Sequence, residues 1–223
     1  MQINLQFELE KNGYLFIPGY IPEISTIELG HRIGKVIDIG KKLKGVNVSV
    51  VQTITPKDIY EAGGNVYSGI FGLRDFPFHT DLAHWANPPR YLMLRCIKGS
   101  PDVTTGILTF DEILKKIPLN ELNKSIFIAR KKDFYGRYLP VSLTIGNSAI
   151  RWDSEFLKPI NDRAKYFFNW MKNKEWKGSE IKLNLKNYGD TLIIDNWRTL
   201  HCRSSVNNRD RIIERMYLSE VIL

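Results

Sequence analysis

Short apolar runs with the composition of β-strands recur along most of this chain, and turn residues separate them. Aromatic and branched aliphatic residues dominate these runs, which are YLFI at 14–17, RYLMLRCI at 90–97, SIFIA at 125–129, TLIIDNW at 191–197 and RIIERMYLSEVIL at 211–223. Strands and helices do not alternate regularly, as a parallel doubly wound sheet would require. The pattern predicts a mainly β fold, with a closed or double-sheet core and flanking helices.

Two segments have the spacing of amphipathic helices. Apolar residues recur at helical spacing from 23 to 39, which predicts a helix over that range. A second helix is predicted over 161–174, where Asn161 or Asp162 can act as the cap. With 223 residues, the chain is long enough to bury a substantial core as one compact domain.

The net charge and the cysteines limit the kinds of ligand and macromolecule that this protein is expected to bind. The formal net charge of +8 fits either a solvated lysine-rich surface or attraction to anionic ligands. No zinc-finger or RNA-binding motif accompanies it, so we expect no nucleic-acid partner, and nucleic-acid binding stays an alternative based on charge alone. Cys96 and Cys202 match no paired-thiol spacing. Because no apolar run approaches the roughly 20 residues that span a bilayer, we expect a cytoplasmic protein with no membrane partner.

The stretch FPFHTDLAHW places His79 and Asp81 two residues apart within an apolar run. If this segment is extended, both side chains lie on one face and can bind a single ion. His201 follows another apolar strand and can supply a second imidazole. Two histidines and one carboxylate form the facial triad that is typical of non-haem Fe(II) oxygenases. The alternative is a polar turn that happens to contain a histidine.

Two arginines follow His201 on the last predicted strand. Arg211 and Arg215 are four residues apart and therefore share a face of that strand. A guanidinium inside a β core is costly unless it meets a carboxylate, which it can bind with two hydrogen bonds. A dicarboxylate that chelates iron at one end and reaches an arginine at the other meets this requirement. The alternative is a pair of surface charges on an edge strand.

The blocks FHTDLAHWANPPRYLMLRC and GDTLIIDNWRTLHCRSSVNNRDRIIER together resemble the Fe(II)/2-oxoglutarate-dependent dioxygenases of the taurine dioxygenase (TauD/TfdA) group and their clavaminate synthase-like relatives. The resemblance covers most of the chain. It implies a double-stranded β-helix, the cupin-like jelly-roll core, in a single dioxygenase domain over 1–223. We expect an N-terminal strand–helix segment at about 1–45, the jelly-roll core at about 46–223 and a helical insert near 160–174.

The resemblance also implies roles for individual residues. His79, Asp81 and His201 match the catalytic iron ligands, and Arg211 matches the arginine that holds the distal carboxylate of 2-oxoglutarate. Arg215 matches a second arginine near the substrate or the cosubstrate.

Relatives usually add a threonine about 25 residues after the metal carboxylate, and it also contacts 2-oxoglutarate. The matching region here, SPDVTTGILTF, departs from the common glycine-aspartate-threonine form. Thr105 is our assignment and Thr104 the alternative.

The function implied is oxidative decarboxylation of 2-oxoglutarate by Fe(II) and O2, coupled to hydroxylation of a small substrate. An anionic or amino-acid-like molecule is expected, either free or tethered to a carrier. Asp81 argues against halogenation, because related halogenases replace this carboxylate with a small residue. The alternative is a non-catalytic jelly-roll protein that binds a metal or a small molecule.

Overall fold

A computed structural model of the chain describes residues 4–42, 48–117, 122–130, 137–143 and 149–223. The helices are α1 Leu5–Asn12, α2 Thr26–Ile33, α3 Tyr67–Phe71, α4 Phe110–Leu114 and α5 Asp162–Asn173, with a 3-10 turn at Gly40–Lys42. The strands are β1 Tyr14–Ile17, β2 Gly34–Ile37, β3 Gln52–Ile54, β4 Phe76–His79, β5 Tyr91–Lys98, β6 Thr105–Thr109, β7 Ile126–Ala129, β8 Leu139–Pro140, β9 Leu157–Pro159, β10 Ile181–Leu183, β11 Thr191–Asp195, β12 Thr199–Arg203 and β13 Ile212–Val221. None of the helices in the described ranges is long and apolar enough to cross a membrane.

Two antiparallel sheets form the centre of the fold. The larger sheet has the order β1-β11-β5-β13-β2, and β3 also pairs with β13. The smaller sheet has the order β10-β6-β12-β4. They share an interior to which β5, β11 and β13 of the large sheet contribute Leu92, Ile194 and Ile213, while β6 of the small sheet contributes Ile107. This arrangement is that of a jelly roll, and the mainly β fold class predicted from the sequence is confirmed.

Helices cover the outer face of the large sheet. Side chains alternate along a strand, so Leu92 of β5 points into the shared interior while its neighbour Met93 packs on the outer face. On that outer face Met93 belongs to one apolar cluster with Leu9 of α1 and Leu29 of α2. The two N-terminal helices therefore close one side of the core.

A further layer packs behind the small sheet. It contains the short sheet β8-β7-β9 and helix α5, whose Phe167 contacts Trp152 and Phe127 with ring centroids 5.4 and 6.5 Å apart. Leu200 of β12 joins the same apolar cluster from the small sheet. This layer positions the segment around Trp152, which contacts the candidate site described below.

Helix α2 is shorter than its apolar periodicity predicts. It begins at a capping box formed by Ser25 and Glu28 and ends at Ile33, and the chain then continues as strand β2 on β13. A Cβ at Gly34 would lie 2.1 Å from the Glu220 carbonyl oxygen, so only glycine allows this close approach. The predicted helix over 23–39 is therefore wrong beyond Ile33. The predicted boundary near residues 45 and 46 lies outside the described residues.

The aromatic packing of α5 generates a stability prediction. Replacing Phe167, which is fully buried, by alanine should lower the free energy of unfolding by about 3–5 kcal/mol, because the cavity cannot collapse between three aromatic rings. Its neighbour Tyr166 is 54% exposed, so Tyr166→Ala should change that free energy by less than about 0.5 kcal/mol. Denaturant unfolding of both variants measures the difference, and equal effects would contradict the packing described.

Candidate metal centre

Pairing between two strands of the small sheet brings the two predicted histidine ligands together. His79 ends β4 and is the Cα partner of His201 in β12. Side chains that are directly opposite in an antiparallel pair lie on the same face, about 5 Å apart at Cβ. The two imidazole centroids are accordingly 4.3 Å apart, and both side chains are buried.

Asp81 completes the group from a turn rather than from a strand. Strand β4 ends at His79, and the next residues form a turn in which Leu82 has a φ of 56°. The sequence interpretation of an extended segment through Asp81 is therefore wrong, although the side chain still reaches the imidazoles. Asp81 Oδ1 lies 3.5 Å from His79 Nε2 and 3.9 Å from His201 Nε2.

Asn196 holds the backbone of Asp81. The Asp81 N–H donates to Asn196 Oδ1 at 2.8 Å, and Asn196 Nδ2 donates to the Asp81 carbonyl at 3.0 Å and to the Pro89 carbonyl at 2.9 Å. Asn196 is fully buried and directly follows β11. A side-chain amide can satisfy both backbone groups of a residue that has no strand partner. Asn196 therefore fixes the position of the Asp81 backbone, from which the carboxylate side chain extends.

Thr80, between two of the predicted ligands, is held from the layer behind the small sheet. The Thr80 N–H donates to the Trp152 carbonyl at 2.8 Å, and the Trp152 N–H donates to Thr80 Oγ1 at 3.1 Å. Arg151 adds donation to the carbonyl oxygens of the following turn, at Ala83 (2.9 Å), Trp85 (2.5 Å) and Ala86 (2.8 Å). A buried turn needs such partners for its backbone polar groups.

Burial and charge shift the pKa values of the three side chains in different directions. His79 Nδ1 lies 2.9 Å from the Pro77 carbonyl, which can only accept, so in the neutral imidazole Nδ1 carries the proton and Nε2 has the lone pair. Burial alone would lower the pKa of His79, but Asp81 outweighs it and raises that pKa, whereas burial lowers the pKa of His201 to about 3. Burial alone would raise the pKa of Asp81, but Arg215 and the two histidines outweigh it and hold this pKa far below its usual range.

The donor atoms of His79, Asp81 and His201 all lie within 4.8 Å of one another. Two imidazoles and one carboxylate form a ligand set suited to Fe(II) with open positions. The residues present therefore fit the metal that the resemblance implies.

The second oxygen of Asp81 contacts residues of β13. Arg215 Nη1 donates to Asp81 Oδ2 at 3.2 Å, and the Tyr217 hydroxyl donates to the same oxygen at 2.9 Å. Arg215 Nη2 also donates to Gln52 Oε1 at 2.6 Å. The structure thus places Arg215 against the carboxylate itself, a contact that its sequence position did not reveal.

Arg211 precedes β13 and is buried, with no hydrogen-bond partner for its Nε and no ion pair to a carboxylate among the described residues. Thr105 is also buried, in β6, and is the Cα partner of Arg203. Burial lowers the pKa of Arg203 to about 10, and the nearby charge of Arg211 contributes. Thr105 shares its strand face with Ile107 of the interior, whereas Thr104 lies just before the strand.

Aromatic side chains and one more carboxylate surround the histidines. Tyr67 of α3 stacks on His79 with centroids 4.1 Å apart, and Phe156 meets Tyr67 edge to face at 5.3 Å. Asp153 is buried, and its Oδ1 accepts the backbone N–H groups of Glu155 and Phe156. Burial raises the pKa of Asp153, and no described lysine or arginine forms an ion pair with it.

Sequence reasoning predicted the three side chains that the structure brings together but not the residues that hold them. It missed Asn196 and Tyr217, and it did not assign Asp153 or Arg151 a role. Asn196 lies in the same block as His201, and Tyr217 lies two residues after Arg215, which ends that block. The sequence offered one signal for them, which is that Asn196 directly follows a predicted buried strand.

Comparison with known proteins gives matches among solved structures. No family model matches the sequence, and no curated protein sequence matches it. Asparagine oxygenase in complex with Fe(II), 2S,3S-3-hydroxyasparagine and succinate matches at a TM-score of 0.62 with 20% identity, over 76% of this chain and 56% of that one. OrfP with Fe and α-ketoglutaric acid matches at 0.61 with 20% identity, over 77% and 57%. PvcB, an Fe, α-ketoglutarate-dependent oxygenase from an isonitrile synthetic pathway, matches at 0.66 with 15% identity, over 97% and 80%.

These matches establish the fold. The chain shares the jelly-roll fold of these three oxygenases, the fold that the resemblance in the sequence implied. It spans about 56% of the length of the asparagine oxygenase that it matches.

The contacts of Asn196 generate a prediction about the metal centre. Asn196→Ala should lower the free energy of unfolding by about 2–4 kcal/mol and weaken metal binding, because the backbone groups of Asp81 lose buried partners. Asn169→Ala, on the exposed face of α5, is the control and should change neither quantity. Denaturant unfolding and anaerobic Fe(II) titration test this, and normal metal affinity in Asn196→Ala would contradict the role assigned to Asn196.

Proposed function

We propose that this protein is an Fe(II)- and 2-oxoglutarate-dependent dioxygenase that hydroxylates a small, amino-acid-like substrate. One observation carries the proposal: His79, Asp81 and His201 bring three metal-binding atoms within 4.8 Å of one another, buried in the small-sheet side of a jelly roll. With iron, 2-oxoglutarate and O2 bound, such a centre supplies oxidative decarboxylation to succinate and CO2, with the second oxygen atom transferred to a substrate C–H bond.

Arg211 and Thr105 are the proposed contacts of the distal carboxylate of 2-oxoglutarate. The guanidinium of Arg211 is buried without an anionic partner, which is costly until a carboxylate binds. Thr105 pairs with Arg203, two residues along β12 from His201, and two residues of a strand span about 6–7 Å. A five-carbon dicarboxylate is long enough to extend over this distance from the metal.

The proposed substrate carries an amino group. Asp153 is a buried carboxylate near His79, and no described lysine or arginine forms an ion pair with it, so a substrate ammonium group can compensate its charge. Arg215 is already engaged with Asp81, so it no longer argues for an anionic substrate. The structures of asparagine oxygenase and OrfP contain hydroxylated amino acids, which supports the same class. A carrier-tethered amino acid and a cytoplasmic location are kept as proposals.

The remaining alternative is a jelly-roll protein that binds a metal or a small molecule without turnover. It predicts metal binding but no release of succinate. The proposal requires both.

Anaerobic titration with Fe(II) and 2-oxoglutarate tests the proposal directly. The wild type should form the weak visible charge-transfer band of the chelate, and His79→Ala should not form it. Arg211→Ala should form it only at 2-oxoglutarate concentrations at least about tenfold higher, because a charge-assisted pair contributes 1.4 kcal/mol or more. Arg209→Ala is the matched control, since Arg209 is an exposed arginine two residues away that pairs with Glu61. Absence of the band from the wild type would refute the proposal.

Asp153→Asn tests the substrate class. This variant should keep the chelate band, because Asp153 is not a proposed metal ligand, but it should lose the stimulation of succinate release by amino-acid substrates. Three sets of compounds are compared: free amino acids, the same amino acids with acetylated amino groups, and carrier-bound forms. The comparison shows whether the substrate needs a free ammonium group and whether it must be tethered to a carrier. Equal stimulation of the variant and the wild type, or equal use of acetylated compounds, would exclude an ammonium contact at Asp153.

A further inference from the structure

The two oxygens of the Asp81 carboxylate have different surroundings. Oδ1 faces the imidazoles, 3.5 Å from His79 Nε2 and 3.9 Å from His201 Nε2. Oδ2 faces away from them and accepts hydrogen bonds from Arg215 and Tyr217, at 3.2 and 2.9 Å. One oxygen of this carboxylate therefore faces the candidate metal site, and the other already accepts two hydrogen bonds from the protein.

Both donors to Oδ2 belong to a strand in the middle of the large sheet. Arg215 and Tyr217 are two residues apart on β13, so their side chains share a face, and their Cα partners on β5 are Leu94 and Leu92. Gln52 is the Cα partner of Arg215 on β3 and accepts from its second terminal nitrogen at 2.6 Å. The guanidinium is therefore held from two strands.

Occupation of Oδ2 limits how Asp81 can bind a cation. A carboxylate oxygen that accepts one charge-assisted and one neutral hydrogen bond has little remaining capacity for a metal. Only Oδ1 is then available, so the protein supplies three ligand atoms to an octahedral ion and leaves three positions open. If Oδ2 were released, Asp81 could chelate and take a fourth position. A bidentate 2-oxo acid would then fill the last two and leave none for O2.

We propose that Arg215 and Tyr217 are positioning residues that restrict Asp81 to one metal-binding oxygen and so keep three coordination positions open. The inference rests on the proposed function, because it concerns the same metal centre. It gives Arg215 a task at the metal carboxylate, where the resemblance implied a contact with substrate or cosubstrate. It also gives a task to Tyr217, which the sequence did not mark.

Tyr217→Phe is the main test, because it removes one hydroxyl and keeps the ring in the core. Co(II) is the probe, since its visible absorption per bound ion depends on the number and geometry of its ligands. Tyr217→Phe should still bind one Co(II), with an affinity within about tenfold of the wild type. Its Co(II) spectrum should change, and O2-dependent succinate release by the Fe(II) form should fall by at least about tenfold, because a chelating Asp81 and bound 2-oxoglutarate leave no position for O2.

Arg215→Lys and Arg215→Met extend the test. The lysine variant can keep one donor to Oδ2, so its spectrum should lie between those of the wild type and the methionine variant. Tyr91→Phe is the matched control, because Tyr91 is a buried tyrosine on the neighbouring strand β5 that packs on the outer face of the sheet. It should leave the spectrum, the Co(II) affinity and the rate of succinate release unchanged.

The possible outcomes separate this inference from the proposed function. If the wild type binds Co(II) and 2-oxoglutarate and Tyr217→Phe has the same spectrum and the same rate of succinate release, the inference is wrong and the proposed function stands. If the variants lose thermal stability, Co(II) affinity and succinate release in equal proportion, with an unchanged spectrum, the two residues only stabilise the fold and the inference is again wrong. If the wild type binds neither metal, the proposed function itself fails.

Discussion

The antiparallel pairing of β4 with β12 is the constraint on which the candidate site depends. It makes His79 and His201 direct partners, although the two lie far apart in the sequence. A shift of one residue in this register would move one imidazole to the opposite face of the sheet. The apolar side chains of the same strands oppose such a shift, because Leu200 would have to leave the cluster behind the small sheet. The hydrophobic pattern of the sheet therefore also fixes the geometry of the histidines.

Electrostatic balance allows a charged carboxylate to lie inside this core. Burial of Asp81 opposes ionisation, but Arg215 and the two histidines outweigh that cost, so the pKa of Asp81 falls. The same burial keeps His201 neutral. Asp81 also raises the pKa of His79, and the positive charge of Arg215 lies on the side of Asp81 away from the imidazoles. A buried ion pair such as Asp81–Arg215 contributes little net stability to a fold, because desolvation of both charges offsets their attraction, but it fits a binding role.

The turn that carries Asp81 explains why the outer layers matter for the site. A turn has no ladder of backbone hydrogen bonds, so its buried polar groups need partners from elsewhere. Asn196 on one side, and the adjacent Arg151 and Trp152 on the other, supply these partners from two separate parts of the chain. Trp152 in turn packs against the aromatic residues of α5. Packing at a distance from the metal centre thereby sets the position of one of its proposed ligands.

The sequence by itself determined the mainly β class, the strands around the interior and the identity of the three candidate metal ligands. These follow from local periodicity and from the chemistry of single residues, which a sequence displays directly. Tertiary structure decided the rest. It ended α2 at Ile33, because Gly34 must pair closely with β13, and it placed Asp81 in a turn. It also directed Arg215 and Tyr217 to the carboxylate, because the partner of a buried donor depends on which strands lie side by side, and local sequence does not encode that contact.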